Sequence, residues 1–149
     1  MTSTYAQPRP CSVARALEIV GEKWALLALR EVFLGNRRFD EMVRRTGAPR
    51  DTLNARLRSL VSAGILTRRL YSEHPERYEY RLTDAGRELY PVILTLMRWG
   101  DRYLAGEDGP PMLLEHTCGH ELKVQVICEA CTEPVVARDL RPVKAAVPA

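Results

Sequence analysis

The chain has 149 residues, enough for one packed domain with an appendage, and 46% of them are hydrophobic. Its apolar runs stay well short of the roughly 18 residues a membrane span needs, and the amino-terminal MTSTYAQPRP has no apolar leader core, so a cytoplasmic protein without a membrane partner is expected. The net charge of +3 is uneven: residues 1–81 hold 15 Lys and Arg against 9 Asp and Glu, whereas residues 82–149 hold 7 against 10. The first half is therefore the one expected to meet an anion.

Residues 1–10 read as a flexible arm, and a helix begins at CSVARALEIV. EKWALLALREVFL follows, apolar on nearly every side through Trp24, Leu26, Leu27, Leu29, Val32 and Phe33, so it belongs in the middle of the core. RRFDEMVRR sets Phe39, Met42 and Val43 at i, i+3, i+4, one buried stripe of a third helix. Thr46-Gly47-Ala48-Pro49 is a turn, and Pro49 suits the first position of the next helix because its missing N–H would be unpaired there. In that fourth helix Leu53, Leu57, Leu60 and Val61 recur at i, i+4, i+7, i+8, until Ala63-Gly64 stops it. The period then changes to two. ILTRRLYS and ERYEYRLT, joined by Ser72-Glu73-His74-Pro75, read as a β-hairpin with a charged tip. DAGRELYPVILTLMRWGDRYL is the last long helix, capped by Thr83 or Asp84 and slightly kinked near Pro91. Its Leu89, Ile93, Leu96, Gly100 and Tyr103 step by 4, 3, 4, 3, the spacing of a seam between two helices. GEDGPP, 106–111, is a linker, 112–140 a Cys/His appendage, and 141–149 a disordered tail.

Helices, a short Gly-containing turn, a further helix and a charged hairpin follow the order of a winged helix-turn-helix, a mainly α fold with a β-hairpin wing. In that arrangement the helix after the turn enters the major groove and the wing touches the flanking backbone or minor groove. At about 100° per residue, Asp51, Thr52, Ala55, Arg58 and Ser59 lie opposite the leucine face of the fourth helix, and Arg50 stands at its first turn. Arg56 lies on the flank, placed equally for a phosphate, a base or a neighbouring carboxylate. The wing offers Arg68, Arg69, His74 and Arg77, and Arg37 and Arg38 open the preceding helix, where backbone contacts are usual. The expected domain is 11–105.

These motifs in combination, CSVARALEIVGEKWALLALREVFLGNRRFDEM, LNARLRSLVSAGIL, RYEYRLTDAGREL and LYPVILTLMRWG, resemble the HxlR family of bacterial transcriptional regulators, relatives of the MarR group, over residues 11 to about 103. The resemblance implies a homodimer built through the first and last helices, binding a partly palindromic operator in double-stranded DNA and usually repressing nearby genes. A two-fold dimer would set its recognition helices about 34 Å apart. The chain departs from favoured capping at Ala48, which brings no side-chain cap to the recognition helix. The resemblance also makes Cys11, at a helix start where the dipole favours a thiolate, a candidate sensor of oxidants or electrophiles, with Arg9 and Arg15 nearby. The alternative for Cys11 is a small residue packed against the dimer helix.

HTCGHELKVQVICEACTEPV places Cys118 ten residues before Cys128, which begins a Cys-x-x-Cys ending at Cys131, with a strand-like alternation between. Two metal-binding turns joined by a strand make a zinc-ribbon-like arrangement, and thiolates with imidazole suit tetrahedral zinc. Cys118, Cys128 and Cys131 would be three ligands, and His116 or His120 the fourth. A fully ligated site of this kind is structural. Its alternatives are a Cys128–Cys131 redox pair and a metal-free hairpin. No general base stands at a catalytic spacing, so an enzyme is not expected. The competing functions are a winged-helix module that binds a protein and a regulator that answers to a noncovalent small ligand.

Overall fold

The spacing of apolar residues becomes six helices and one hairpin in the computed structural model, which describes residues 10–143. The elements are α1 (Ser12–Val20), α2 (Lys23–Phe33), α3 (Phe39–Thr46), α4 (Arg50–Ser62), β1 (Leu66–Glu73), β2 (Glu76–Leu82), α5 (Asp84–Arg87) and α6 (Tyr90–Leu104). The expected arm falls almost wholly on residues 1–9 and the end of the expected tail on 144–149, both outside the described residues. No described helix is long and apolar enough to cross a membrane.

The chain divides into two compact units, one up to Ile93 and one from Leu94. This division falls inside α6, ahead of the 106–111 linker expected from sequence, and within the second unit Arg98 Nη1 donates to the Val124 carbonyl at 2.6 Å.

In the first unit α2 touches α1, α3, α4 and β2, as its apolar circumference requires. Leu29, Met42, Leu53, Leu57, Leu60 and Leu66 are fully buried, with Val20, Val32, Ile65, Tyr80 and Ile93 around them. Among the described residues one charged side chain is buried there, Glu31, and it is fully partnered. Arg30 reaches its Oε1 at 2.9 and 2.6 Å, and Asn36 Nδ2 its Oε2 at 2.7 Å. These bonds fasten the turn that ends α2 and satisfy a carboxylate that would otherwise be costly to bury.

The α3–α4 turn depends on Gly47, which closes α3 at φ +70° while its N–H bonds Val43 O at 2.9 Å. A Cβ is disfavoured in that left-handed conformation. Pro49 is the N-cap of α4 and Arg50 its first residue, one position later than the sequence suggests. No side chain caps α4. Thr46 Oγ1 holds the turn instead, donating to Met42 O at 2.6 Å and accepting from the Ala48 N–H at 3.1 Å.

β1 and β2 pair antiparallel from Leu66↔Leu82 to Glu73↔Glu76, so the tip is only His74-Pro75, joined by a cis peptide bond. A bulge between Leu70 and Ser72 leaves Tyr71 outside the register. The free edge of β2 is partly covered: Arg38 bridges Glu79, and the Tyr80 N–H bonds Arg37 O at 2.8 Å. The expected single long helix after the wing is two. Thr83 caps α5, its Oγ1 accepting from Gly86 N at 3.1 Å, and the helix then breaks at Glu88-Leu89 before α6. Pro91 has no N–H to return to Arg87 O and its ring crowds that carbonyl, so a break replaces the expected kink.

In the second unit the segment after α6 holds isolated bridges, Glu115↔Glu121 and Ile127↔Pro134, and a short 3-10 turn, Ala137–Asp139. Residues 121–127 alternate in sequence but form no ladder among the described residues: each end makes a single bridge, Glu121 to Glu115 and Ile127 to Pro134.

Candidate nucleic-acid interface

The polar face of α4 emerges largely as its periodicity requires. Arg50, Asp51, Ala55, Arg58 and Ser59 are exposed, while Leu53, Leu57 and Leu60 are buried. Thr52 differs from expectation: it is half-buried rather than open. Ser59 Oγ donates to Ala55 O at 3.1 Å, within its own helix, which leaves its oxygen lone pairs for a donor from outside.

Arg50 is not free. Its Nη2 bonds Asp40 Oδ1 at 2.8 Å and its guanidinium lies 4.9 Å from the Phe39 ring centroid. Both charged partners are open to solvent, at 61% and 77% exposed, so the pair is weak and exchangeable. Arg56 faces the other way. Its Nη1 meets Glu22 Oε1, at the N-cap of α2, at 3.0 Å, and its Nε is buried without a hydrogen-bond partner. Of the roles open to it, the geometry matches the brace.

The hairpin separates residues that are adjacent in sequence. Arg68 lies opposite Tyr80 and stacks its guanidinium 4.0 Å from the Tyr78 ring, whereas Arg69 points to the other face, opposite Glu79. Glu79 is gripped by Arg81, whose Nε donates to it at 2.9 Å. That hydrogen bond, opposed by burial and aided by the positive charges of Arg81, Arg69 and Arg37, holds its carboxyl below the usual range. Burial raises the Tyr80 phenol above its usual value, a rise that nearby Arg68 and Arg58 reduce. Arg38 stacks 4.1 Å from the ring of Tyr71, the bulged residue. Arg77 and His74 are exposed at and beside the tip.

Four of the expected cations therefore share one place. Arg38, Arg50, Arg68 and Arg77 line a cleft of about 280 Å³ between the start of α4 and the wing. Arg58 and Arg68 line a second, of about 450 Å³, against Tyr80. Arg37 lies apart from both, with Arg81 and Arg87 beside the stacked rings of Phe33 and Tyr90. Asn54, Tyr71 and Tyr78 also line the first cleft, and sequence reasoning had not singled them out. The alternation of β2 could have flagged Tyr78, but Tyr71 reaches the cleft through a bulge that no local pattern announces.

Cys11 is the exposed N-cap of α1, in extended conformation, and its carbonyl accepts from Arg15 N at 3.1 Å. Arg9, its expected neighbour, lies outside the described residues. Leu89 packs on the core and Ile93 belongs to it, so of the predicted seam Leu96 and Tyr103 stay exposed, with Gly100 intermediate. Trp99, absent from that seam, is 54% exposed and its ring lies 5.5 Å from Tyr103.

The five candidate residues for the four expected zinc ligands lie on two turns. Within the first, His116 N donates to His120 O at 2.9 Å and Cys118 N to His116 Nδ1 at 3.3 Å. Cys128 N donates to Glu133 O at 2.9 Å in the second, where Thr132 stands at φ +62°. The Cys128 thiol is held below its usual range by the N–H of Cys131, the N–H of Ala130 and the Cys131 thiol. Among the described residues, however, no three His, Cys, Asp or Glu side chains come together so as to hold a metal ion. The four ligands expected from sequence are thus not assembled into one site among the described residues.

Residues 19–108 match the family model described as HxlR-like helix-turn-helix. An HTH-type transcriptional regulator of Mycobacterium tuberculosis is 53% identical over 132 residues, 88% of this chain and 84% of that protein. Among solved structures, PA1607, described as a transcription factor, has a TM-score of 0.79 at 34% identity, covering 91% of this chain and 95% of its own. The redox regulator HypR in its oxidized form has a TM-score of 0.54 at 33% identity, covering 62% and 96%.

Proposed function

Because the chain belongs to the HxlR-like helix-turn-helix family of transcriptional regulators, we propose that it is a cytoplasmic, homodimeric repressor of nearby genes that reads a partly palindromic operator. The convergence of Arg38, Arg50, Arg68 and Arg77 on one cleft carries this reading. It sets a base-reading helix terminus and a phosphate-gripping wing on the same side of one unit. Arg50 and Arg58 read base edges. Arg77 contacts backbone, and Arg38 and Arg68, held by aromatic stacking, keep the wing at its distance. The exposed Leu96, Trp99 and Tyr103 of α6 supply an apolar surface suited to a second protomer. Exposed Cys11 is the thiol through which oxidants or electrophiles release DNA, a reading supported by its place at a helix start and by the likeness to a regulator named for redox response.

The test is to select bound fragments from the source genome and measure affinity for the operator and for a scrambled duplex across salt concentrations. Arg50→Ala and Arg58→Ala lower the preference for operator, and Arg77→Ala weakens both duplexes alike and flattens the salt dependence by about one phosphate. Unchanged affinity and preference in all three overturn the groove assignment. Cys11→Ser abolishes release by peroxide, and release that persists in it removes the sensor. Metal analysis decides the C-terminal turns: no bound zinc agrees with their geometry, whereas one equivalent per protomer, lost in Cys128→Ser, restores the site expected from sequence.

A further inference from the structure

The second unit contains a cavity of about 410 Å³, formed between one side of α6 and residues 110–125. Its wall is mainly apolar, with Leu94, Met97, Leu113 and Leu122 among the lining residues. Its volume is in the range of small-molecule sites. Charge makes it distinctive. Residues 94–143 carry five Lys and Arg against eight Asp and Glu, yet three of those five cations, Arg98, Arg102 and Lys123, line this one cavity. Two acids, Asp101 and Glu121, line it as well, so the site is net positive inside a net negative segment.

The three cations differ in what they are free to do. Arg98 is committed, donating to Val124 O at 2.6 Å and so fixing the far wall to the helix. Arg102 lies 5.3 Å from the Tyr103 ring centroid, and no ion pair among the described residues takes up Arg102 or Lys123. From these observations we infer that the cavity is a binding site for a small apolar organic anion, a hydrophobic carboxylate with its hydrocarbon body on Leu94, Met97 and Leu122 and its charge toward Arg102 and Lys123. On the helix wheel Leu94, Met97 and Asp101 lie opposite Leu96, Trp99 and Tyr103. The occupant rests on the back of the helix whose front is the exposed apolar stripe.

The probe is 2-naphthoate, with neutral 2-naphthalenemethanol as its uncharged match, titrated calorimetrically into the full chain. The carboxylate binds once per protomer and at least about tenfold more tightly than the alcohol. Lys123→Gln narrows that gap to about twofold or less, and Met97→Trp, which sets a bulkier ring on the α6 wall of the cavity, weakens binding at least about tenfold. Leu122→Glu, which sets a like charge against the carboxylate, does the same and serves if the Trp variant misfolds. Helical circular dichroism and retained DNA binding establish that each variant is intact, so failure here is separable from failure of the DNA-binding reading. Equal affinity for acid and alcohol, naphthoate binding undiminished in the folded Met97→Trp or Leu122→Glu protein, or no binding at millimolar probe overturns the site.

Discussion

Replacing Arg56 by Met separates a helix tied down from behind from one whose every arginine faces DNA. Methionine keeps the apolar stem and removes two features, the 3.0 Å ion pair to Glu22 and the buried, unpartnered Nε. With Glu22 60% exposed, the ion pair contributes roughly 0.2–1 kcal/mol. The unpartnered donor costs about 1–3 kcal/mol. The second effect is the larger, so Arg56→Met stabilises the protein by about 1 kcal/mol, a rise in Tm of about 3 °C for a chain of this size. Arg56→Ala also removes two methylenes, Cγ and Cδ, each contributing about 0.8 kcal/mol when fully buried. With the side chain 31% exposed, Ala therefore falls below Met by about 1 kcal/mol. Thermal melts measure both, and fluorescence anisotropy on operator and scrambled duplex shows each variant binding DNA within about twofold of the parent. An Arg56→Met protein that melts several degrees lower, or that loses about tenfold in operator affinity with a flatter salt dependence, puts the guanidinium on DNA and refutes the argument.

Asp40→Asn leaves stability within about 0.5 kcal/mol, because its ion pair is exposed, and raises affinity for scrambled DNA. Unaltered binding to the scrambled duplex contradicts the hold on Arg50. Gly86→Ala lowers the melting temperature sharply, since an added Cβ would come within 2.2 Å of the Ile65 carbonyl oxygen; a melt within 1 °C of the parent contradicts that approach. Trp99→Glu shifts the sedimentation profile toward monomer and lowers operator affinity while leaving the helical signal intact, and an undiminished dimer removes α6 from the interface. Glu79 contributes stability that is present above its ordinary, unfolded pKa and is lost as pH falls through its lowered folded value. Glu79→Gln therefore flattens the acid limb of a pH–stability profile, and an unchanged limb contradicts the grip of Arg81.

Most of the first unit was legible because its signals are local. Leu53, Leu57 and Leu60 mark their own helix by spacing, and the change of period at Ile65 marks the wing. What escaped depends on residues that meet across the fold. The bond from Tyr80 N to Arg37 O joins segments more than forty residues apart, and nothing in either segment names the other. Pro91 was legible as a disturbance but not as a break, since whether the chain bends or stops depends on how its first unit ends. Arg68 and Arg69 looked equivalent until the register with Tyr80 and Glu79 put them on opposite faces. In the C-terminal segment the residue types suggested zinc, but ligand spacing constrains only neighbours along the chain, and the two turns do not close on a common centre among the described residues.

Arg50, resting against Asp40, has a bearing on how such a protein travels. A bare guanidinium at the tip of a reading helix would cling to every phosphate it passed, and the time spent at wrong addresses would grow with the length of the chromosome. If Arg50 reads a base as proposed, Asp40 would act as an anchorage that the arginine leaves only where a base edge offers it two acceptors at once. On that reading the carboxylate would trade strength of grip for speed of search, and place the decision to stop at a single side chain near the start of α4.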